Sequence, residues 1–277
     1  MKAKSVKKFL KTLVVLLVCV IDVYPLLWML SASFKAPSEW TTKPAYALNE
    51  GFYWKNYVDA WTRGKMNIFF MNSVINTVVA LLFIVIFSTT ISFAISKMEW
   101  KGRKLVDSFF SMGIMVPVSV ALIPLFQIYK AIGLYNTRYS LIIAYIAFGL
   151  SLSIYLMKSF LRSLPNEILE AGVIDGCSIY KLLWYIVVPM MKNAIVTVLV
   201  LQFFFKWNDL VFSMTFVSDT KLKTVQTGLM YFSDEFGSKN WGAIFASISL
   251  SVFPLLILYM FLNKRVIEGM AAGAVKG

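Results

Sequence analysis

The polar side chains with the means to do chemistry in this chain fall into two groups. One group interrupts otherwise apolar runs: Asn72, Asn76, Gln127, Gln202 and the cluster Lys206-Trp207-Asn208-Asp209. The other lies between runs, in Leu164-Pro-Asn-Glu-Ile-Leu-Glu-Ala-Gly-Val-Ile-Asp-Gly176, and continues as an amphipathic stretch to Pro189. No histidine is present, which excludes His-based triads, His metal sites and His proton relays. Cys19 and Cys177 are too far apart in sequence and setting to read as a disulfide framework. No Gly-x-x-x-x-Gly-Lys-Ser/Thr loop appears, so any energy from ATP has to come from another subunit. These side chains can still form hydrogen bonds, and the segment 164–189 can touch another protein.

The elements that must position them are apolar helices. Of the 277 residues, 59% are apolar and 15% charged, against about 45–50% and about 25% in ordinary soluble domains. Such a chain needs a bilayer as solvent. The net charge of +13 does not read as a nucleic-acid surface, because the 27 Lys and Arg are scattered between apolar runs. Six runs emerge, at about 10–32, 69–95, 107–129, 139–157, 194–217 and 242–262. Each approaches the roughly 20 residues a helix needs to cross the hydrocarbon core. Helix is expected over strand, because lipid forbids open sheet edges and the runs are too long for barrel strands. The fold class is therefore an all-α integral membrane protein with six transmembrane helices in one domain, 1–277.

Pro117 and Pro124 interrupt the third run and predict a kinked helix facing protein, because the freed carbonyls need partners inside the bundle. The basic N-terminus and the run from Leu10 to Leu30 look partly like a signal peptide. The run is long for one, and only Ser31-Ala32-Ser33 offers a weak cleavage site, so an uncleaved first span is expected. With the N-terminus in the cytoplasm, the inside regions hold 16 Lys and Arg and the outside regions 10, which favours both termini inside. The outer loop after the first run carries Trp40, Tyr46, Phe52, Tyr53, Trp54, Tyr57 and Trp61, which suit either a headgroup-level belt or contact with an external partner.

The inside region 158–192 is too long for a simple turn. Pro165 suits a first helical turn. A short helix is predicted over about 166–173, a turn at Asp175-Gly176, and a second helix from an N-cap at Ser178 until Pro189 ends or kinks it. Ala171 and Gly172 permit close approach, while Glu167 and Glu170 offer charge to a basic partner or to local caps. Two readings follow: a docking knob, or an amphipathic pair lying on the membrane.

Glu170-Ala171-Gly172-x-x-Asp175-Gly176 with Ile186-x-x-Pro189 resembles the EAA motif of ABC importer permeases. The chain is similar, more narrowly, to MalG-like permease subunits of carbohydrate importers. Asn72-x-x-x-Asn76-Thr77, Ile123-Pro124-Leu125-Phe126, Gly133-Leu134-Tyr135-Asn136-Thr137, Trp207-Asn208-Asp209, Thr224-x-x-x-Gly228-Leu229 and the ending Gly269–Gly277 extend the likeness over about residues 10–277. Gly172 stands where the motif commonly has alanine, and Val188 where leucine often precedes the proline.

The resemblance implies that 158–192 is a cytoplasmic coupling loop. Glu167, Glu170, Ala171, Gly172, Asp175, Gly176 and Pro189 would dock it on a cytoplasmic ATPase subunit. It also implies a second related permease, two ATPase subunits that bind ATP and magnesium, an extracytoplasmic solute-binding protein, a sugar or oligosaccharide substrate, and the cytoplasmic membrane of a bacterium or archaeon. No cofactor or metal is expected on this chain, which would itself be a transporter subunit and not an enzyme. The tail would lie near the ATPases or the permease interface. Asn72, Asn76, Gln127, Gln202, Trp207, Asn208 and Asp209 are the candidate substrate pathway: Asn208 and Asp209 would bond sugar hydroxyls and Trp207 would stack on a sugar face. The competing reading makes the same groups helix–helix glue or the fastening of a helix break. Lys206 would pair with Asp209, one turn away, and Asp22 would pair within the bundle. A sugar phosphate or polyol as solute, a non-transporting membrane protein and a secondary transporter are the alternatives.

Overall fold

A computed structural model describes residues 2–236 and 240–274, with side chains over 8–230 and 240–261. Every regular element among the described residues is helical. Four helices or helix stretches are long and apolar enough to cross a bilayer: Lys8–Ser33, Met66–Lys97, Arg138–Arg162 and Trp241–Phe261. Two further pairs pass the same test only when joined across a bend, Arg103–Gly113 with Val118–Ala131 at 103° and Ile179–Met190 with Lys192–Trp207 at 75°. The protein is thus an all-α, multi-pass membrane protein of four to six spans.

The runs 10–32, 69–95, 139–157 and 242–262 lie on unbroken helices. The other two are bent, and each passes as one span only when its two helices are taken together. In 107–129 the backbone leaves the helix at Ile114–Val116, and Pro117 takes an extended conformation (φ −66°, ψ 130°) that starts the next helix. Proline disfavours helical geometry in the residue before it, and the single kink becomes a corner. Pro124 stays inside the second helix. In 194–217 the helix begins at Lys192 and stops at Trp207, and a short helix, Val211–Phe216, follows. At about 1.5 Å per residue the 192–207 helix reaches about 24 Å, short of the roughly 30 Å hydrocarbon core. The polar cluster expected inside this span therefore sits at its end.

The chain packs as two compact units. One comprises the chain up to Asn67 with Gly228–Phe253, the other Ile68–Thr227 with the chain from Pro254. The second unit has the larger core. Ala80, Ile84 and Phe93 of the 66–97 helix meet Leu141, Ala144, Tyr145, Met157 and Leu161 of the 138–162 helix. Leu183 and Val187, and then Ala194 and Val198 of the 192–207 helix, complete it. The ending Gly269–Gly277 is helical as far as Ala274, and 275–277 lie outside the described residues.

In the first unit, the window that qualifies Lys8–Ser33 as a span has none of its residues buried, so its apolar surface is left to lipid or another chain. Asp22 is exposed on it and has no described partner. The loop 34–65 is ordered by its own polar groups. Asn56 Nδ2 donates to the carbonyls of Ser33 (2.9 Å) and Lys35 (2.8 Å) and satisfies the end of the first helix. The fully buried Lys35 donates to Ala45 O (2.9 Å). Trp40 stacks on Phe245 at 5.5 Å. The Glu39 carboxylate accepts the N–H groups of Ala36 (2.9 Å) and Glu50 (3.0 Å). Burial opposes its charge, but those N–H bonds, with Lys43 and Lys35 nearby, hold its carboxyl below the ordinary 4.5.

The loop's stability contribution from Glu39 is therefore present above pH 4.5 and lost as pH falls through the lower folded value. Limited proteolysis of the 34–65 loop in micelles should accelerate on acidification below that value. Glu39→Gln should be cleaved faster at neutral pH and show a much smaller acid step.

Candidate functional site

The segment between the spans folds as a knob of two helices. Asn166–Ile174 forms the first, with extended Pro165 at its N-cap. Cys177 N–H bonds Gly172 O (2.9 Å) and Gly176 N–H bonds Val173 O (3.0 Å). This paired closure requires a left-handed residue after the cap, and Gly176 supplies it at φ +78°. Ser178 then caps the return helix by accepting from Lys181 N–H (3.4 Å). From Leu182 to Val187 the helix widens to π geometry, with Val188 N–H reaching Leu183 O, five residues back. Pro189 follows in the next turn, where it brings no N–H to the ladder.

The knob's packing depends on Gly172, the small residue that departs from the motif. It is buried, and a Cβ built there would lie 2.7 Å from Leu182 Cδ2 and 3.0 Å from Ile186 Cδ1. The two helices approach too closely for alanine unless those side chains move. Leu183 and Val187 face the core, whereas Val173 and Ile174 are exposed, Ile174 at 85%. Glu167, Glu170, Ala171, Asp175, Gly176 and Pro189 are exposed too. Lys97, at the end of the 66–97 helix, donates to Leu164 O (2.8 Å) and Asn166 Oδ1 (2.7 Å) and ties the knob's entry to that span. A cleft of about 590 Å³ opens beside this tie, lined by Lys97, Arg103, Asn166, Glu170, Val173 and Ile174 among others.

At the end of the 192–207 helix, Asp209 fastens the break. Its carboxylate accepts Phe212 N–H (3.1 Å) and Ser213 N–H (3.1 Å) at the start of the 211–216 helix, and the Tyr145 hydroxyl (2.9 Å) from the 138–162 helix. Lys206 and Asp209 do not come within salt-bridge distance; the buried Lys206 ammonium lies 5.6 Å from the Tyr145 ring centroid. Trp207 is 1% exposed, stacked on Phe203 at 5.4 Å with its edge to Phe70. Asn208 donates to Phe204 O (2.9 Å) and accepts from Gln226 (3.2 Å). Beside the break is a cavity of about 370 Å³ lined by Tyr145, Phe148, Leu152, Gln202, Lys206 and Asp209 among others. Gln202 Nε2 donates to Gly149 O (3.1 Å) and Ser153 Oγ (3.0 Å), and its buried Oε1 has no protein partner.

The remaining polar residues work as staples. Asn72 Nδ2 donates to Lys221 O (2.8 Å) and Lys223 O (2.9 Å), and its Oδ1 accepts from Arg138 (2.8 Å), so its side chain is engaged by protein on both sides. Ser73 Oγ accepts Val225 N–H (2.9 Å), and Asn136 Oδ1 accepts Ser218 and Asp219 N–H. Asn76 is buried with its Oδ1 unpartnered, and Gln127 is exposed on the 118–131 helix. The structure thus gathers Gln202 and Asp209 at one cavity and separates Asn72, Asn76 and Gln127 from its lining. Sequence reading missed Tyr145, Lys97 and Arg138 as partners. Tyr145 lies in an apolar run, and the other two read only as span-end charges. No cluster of metal-ligating side chains occurs among the described residues.

Asp209→Ala removes a helix cap and strands a buried hydroxyl, and should destabilise the protein by about 2–4 kcal/mol in micelle denaturation. Asp209→Asn retains one accepting oxygen and should lose clearly less.

Residues 87–271 match the model of the family described as binding-protein-dependent transport system inner membrane component. The chain is 34% identical to a probable ABC transporter permease protein, YurM, of Bacillus subtilis, over 92% of this chain and 84% of that one. It is 31% identical to the diacetylchitobiose uptake system permease protein NgcG of Streptomyces coelicolor, over 93% and 85%. Its fold superposes with TM-score 0.84, at 18% identity and covering 95% and 98% of the two chains, on a bacterial ABC transporter involved in import of the acidic polysaccharide alginate. Family match, relatives and fold agree, and the chain belongs to the binding-protein-dependent transport system inner membrane component family.

Proposed function

We propose that this chain is the permease subunit of an ATP-driven importer for a sugar or oligosaccharide. In this reading it works with a second related permease, two cytoplasmic ATPase subunits holding ATP and magnesium, and an external solute-binding protein. Both termini and the knob lie in the cytoplasm. The observation that carries the reading is the knob: an ordered helix pair with exposed Val173 and Ile174 at its tip and a core-packed base. A surface this apolar, on a segment this well closed, suits a groove on another protein. The unburied first helix and its lone Asp22 supply a second face for the partner permease.

The knob's base leads to the cavity. Leu183 and Val187 pack in one core with Met157 and Leu161 of the 138–162 helix and Ala194 and Val198 of the 192–207 helix. Those two helices carry Tyr145, Leu152, Gln202 and Lys206 into the 370 Å³ cavity. ATP-driven closure of the ATPases would move the knob, and the packed core would pass that motion to the cavity walls, because close-packed interiors transmit displacement. Gln202 lines this cavity, and its Oε1, buried without a protein partner, would meet a solute hydroxyl once the walls part. Asp209 and Trp207 act as its scaffold. The named substrate of the Streptomyces relative supports a sugar; a sugar phosphate is not favoured.

The double substitution Val173→Glu with Ile174→Glu puts charge on the knob's tip without touching its base. In a complex purified with its cognate subunits it should reduce solute-stimulated ATP hydrolysis at least about tenfold, the equivalent of about 1.4 kcal/mol, and weaken retention of the ATPase. Full retention and full stimulation would contradict the docking role.

A further inference from the structure

The antiparallel pair 103–113 and 138–162 presents a polar hollow at one end and an apolar groove further along. The hollow, about 290 Å³, is lined by Arg103, Lys104, Asp107, Lys158 and Arg162 with Ile95 and Ser96. Its charge is unbalanced. Asp107 is ion-paired with Lys158, and Glu99 with Arg103 at 2.7 Å. Lys104 and Arg162 are exposed and have no carboxylate partner among the described residues. The groove, about 550 Å³, is lined by Phe109, Met112 and Val116 on one side and Ala147, Leu150 and Ser151 on the other.

The two hollows share the same helices in the same order. Asp107 precedes Met112 by five residues, and Lys158 follows Ser151 by seven. At about 1.5 Å per residue, the basic end lies within roughly 10 Å of the apolar groove along both helices. The basic end coincides with the last turns of two spans, at Lys97 and Arg162, where a bilayer places its phosphates. Two spare cations at headgroup level, opening onto an apolar track at acyl-chain depth, match one amphiphile with an anionic head.

We propose that this pair of helices holds an anionic phospholipid. Its phosphodiester sits between Lys104 and Arg162, and its acyl chain lies along Met112 and Ala147. The Arg162 guanidinium provides a planar fork for phosphate oxygens and Lys104 a point charge beside it. The Asp107–Lys158 pair closes the floor of the hollow and leaves the net positive charge at its mouth. A zwitterionic headgroup would bring a cation into the same hollow and bind less well. The site rests on the membrane-spanning fold and is independent of which solute the protein carries.

The test uses the full chain purified with its cognate subunits, equilibrated in micelles doped with phosphatidylglycerol or phosphatidylcholine. Native mass spectrometry then counts retained lipid. One phosphatidylglycerol per copy of this chain should remain, and phosphatidylcholine at least about tenfold less. Lys104→Gln with Arg162→Gln should reduce phosphatidylglycerol retention about 25-fold, about fivefold per cation removed. Ala147→Trp, which fills the groove and leaves the charges intact, should reduce it as well, with assembly of the complex unchanged in both variants. Equal retention of the two lipids would overturn the proposal, as would indifference to both variants. So would displacement by millimolar inorganic phosphate, which would mark a free-anion site. Crosslinking of Ala147→Cys to the second permease in place of lipid would overturn it too, by showing that protein covers the groove.

Discussion

A bilayer core supplies no water, so each place where a spanning helix stops must be satisfied by the chain itself. The rest of this structure depends on how that is done at the end of the 192–207 helix. Asp209 receives two backbone N–H groups of the next short helix and the hydroxyl of Tyr145. One carboxylate thereby caps a helix, fixes the break and joins two spans. Without the break, the 192–207 helix would continue past Trp207, and the cavity beside Gln202 and Lys206 would have a different wall. The same economy appears elsewhere in this unit: Asn72, Ser73 and Asn136 each fasten backbone around residues 218–225.

Cavity and knob are linked by packing. Among the described residues, no hydrogen-bonded chain is traced from Gly172 to Gln202. Between them lie Leu183, Val187, Met157, Leu161, Ala194 and Val198, all buried in one core. A close-packed set of this kind is stiff on the scale of a methyl group and passes on a displacement of its edge. The π segment at Leu182–Val187 and the 75° bend after Met190 put that edge directly under the knob's exposed face. Pro189 belongs to this arrangement as a geometric device and lies on the exposed side. The tight contact of Gly172 with Leu182 and Ile186 holds the two knob helices as one body.

Much of this was legible in the sequence. Four spans, the knob's two helices, the Asp175-Gly176 turn and the Ser178 cap follow from apolar length and local turn chemistry, which act over a few residues. The break at 208–210 was not legible. The run 194–217 has ample hydropathy for a span, and only Tyr145, more than sixty residues away, reveals Asp209 as a fastener. Trp207 illustrates the same gap: its type suits sugar stacking, but its burial against Phe203 and Phe70 is a tertiary fact. The corner at Pro117 was underestimated, because a proline signals a departure from helix without giving its angle. Lys97 read as a topological charge, and its bonds to Leu164 and Asn166 appear only in three dimensions.

In the proposed function, the tip of the knob sits in a groove of the energy-supplying subunit while solute crosses. Ile174→Cys, in a chain with Cys19 and Cys177 replaced, allows a direct test in native membranes alongside a series of single cysteines across the predicted ATPase groove. The account predicts a disulfide between Ile174→Cys and one groove position, arrest of solute uptake when it forms, and recovery of uptake on reduction. Continued uptake by the crosslinked complex, or full activity with no groove position ever forming a crosslink, would contradict it.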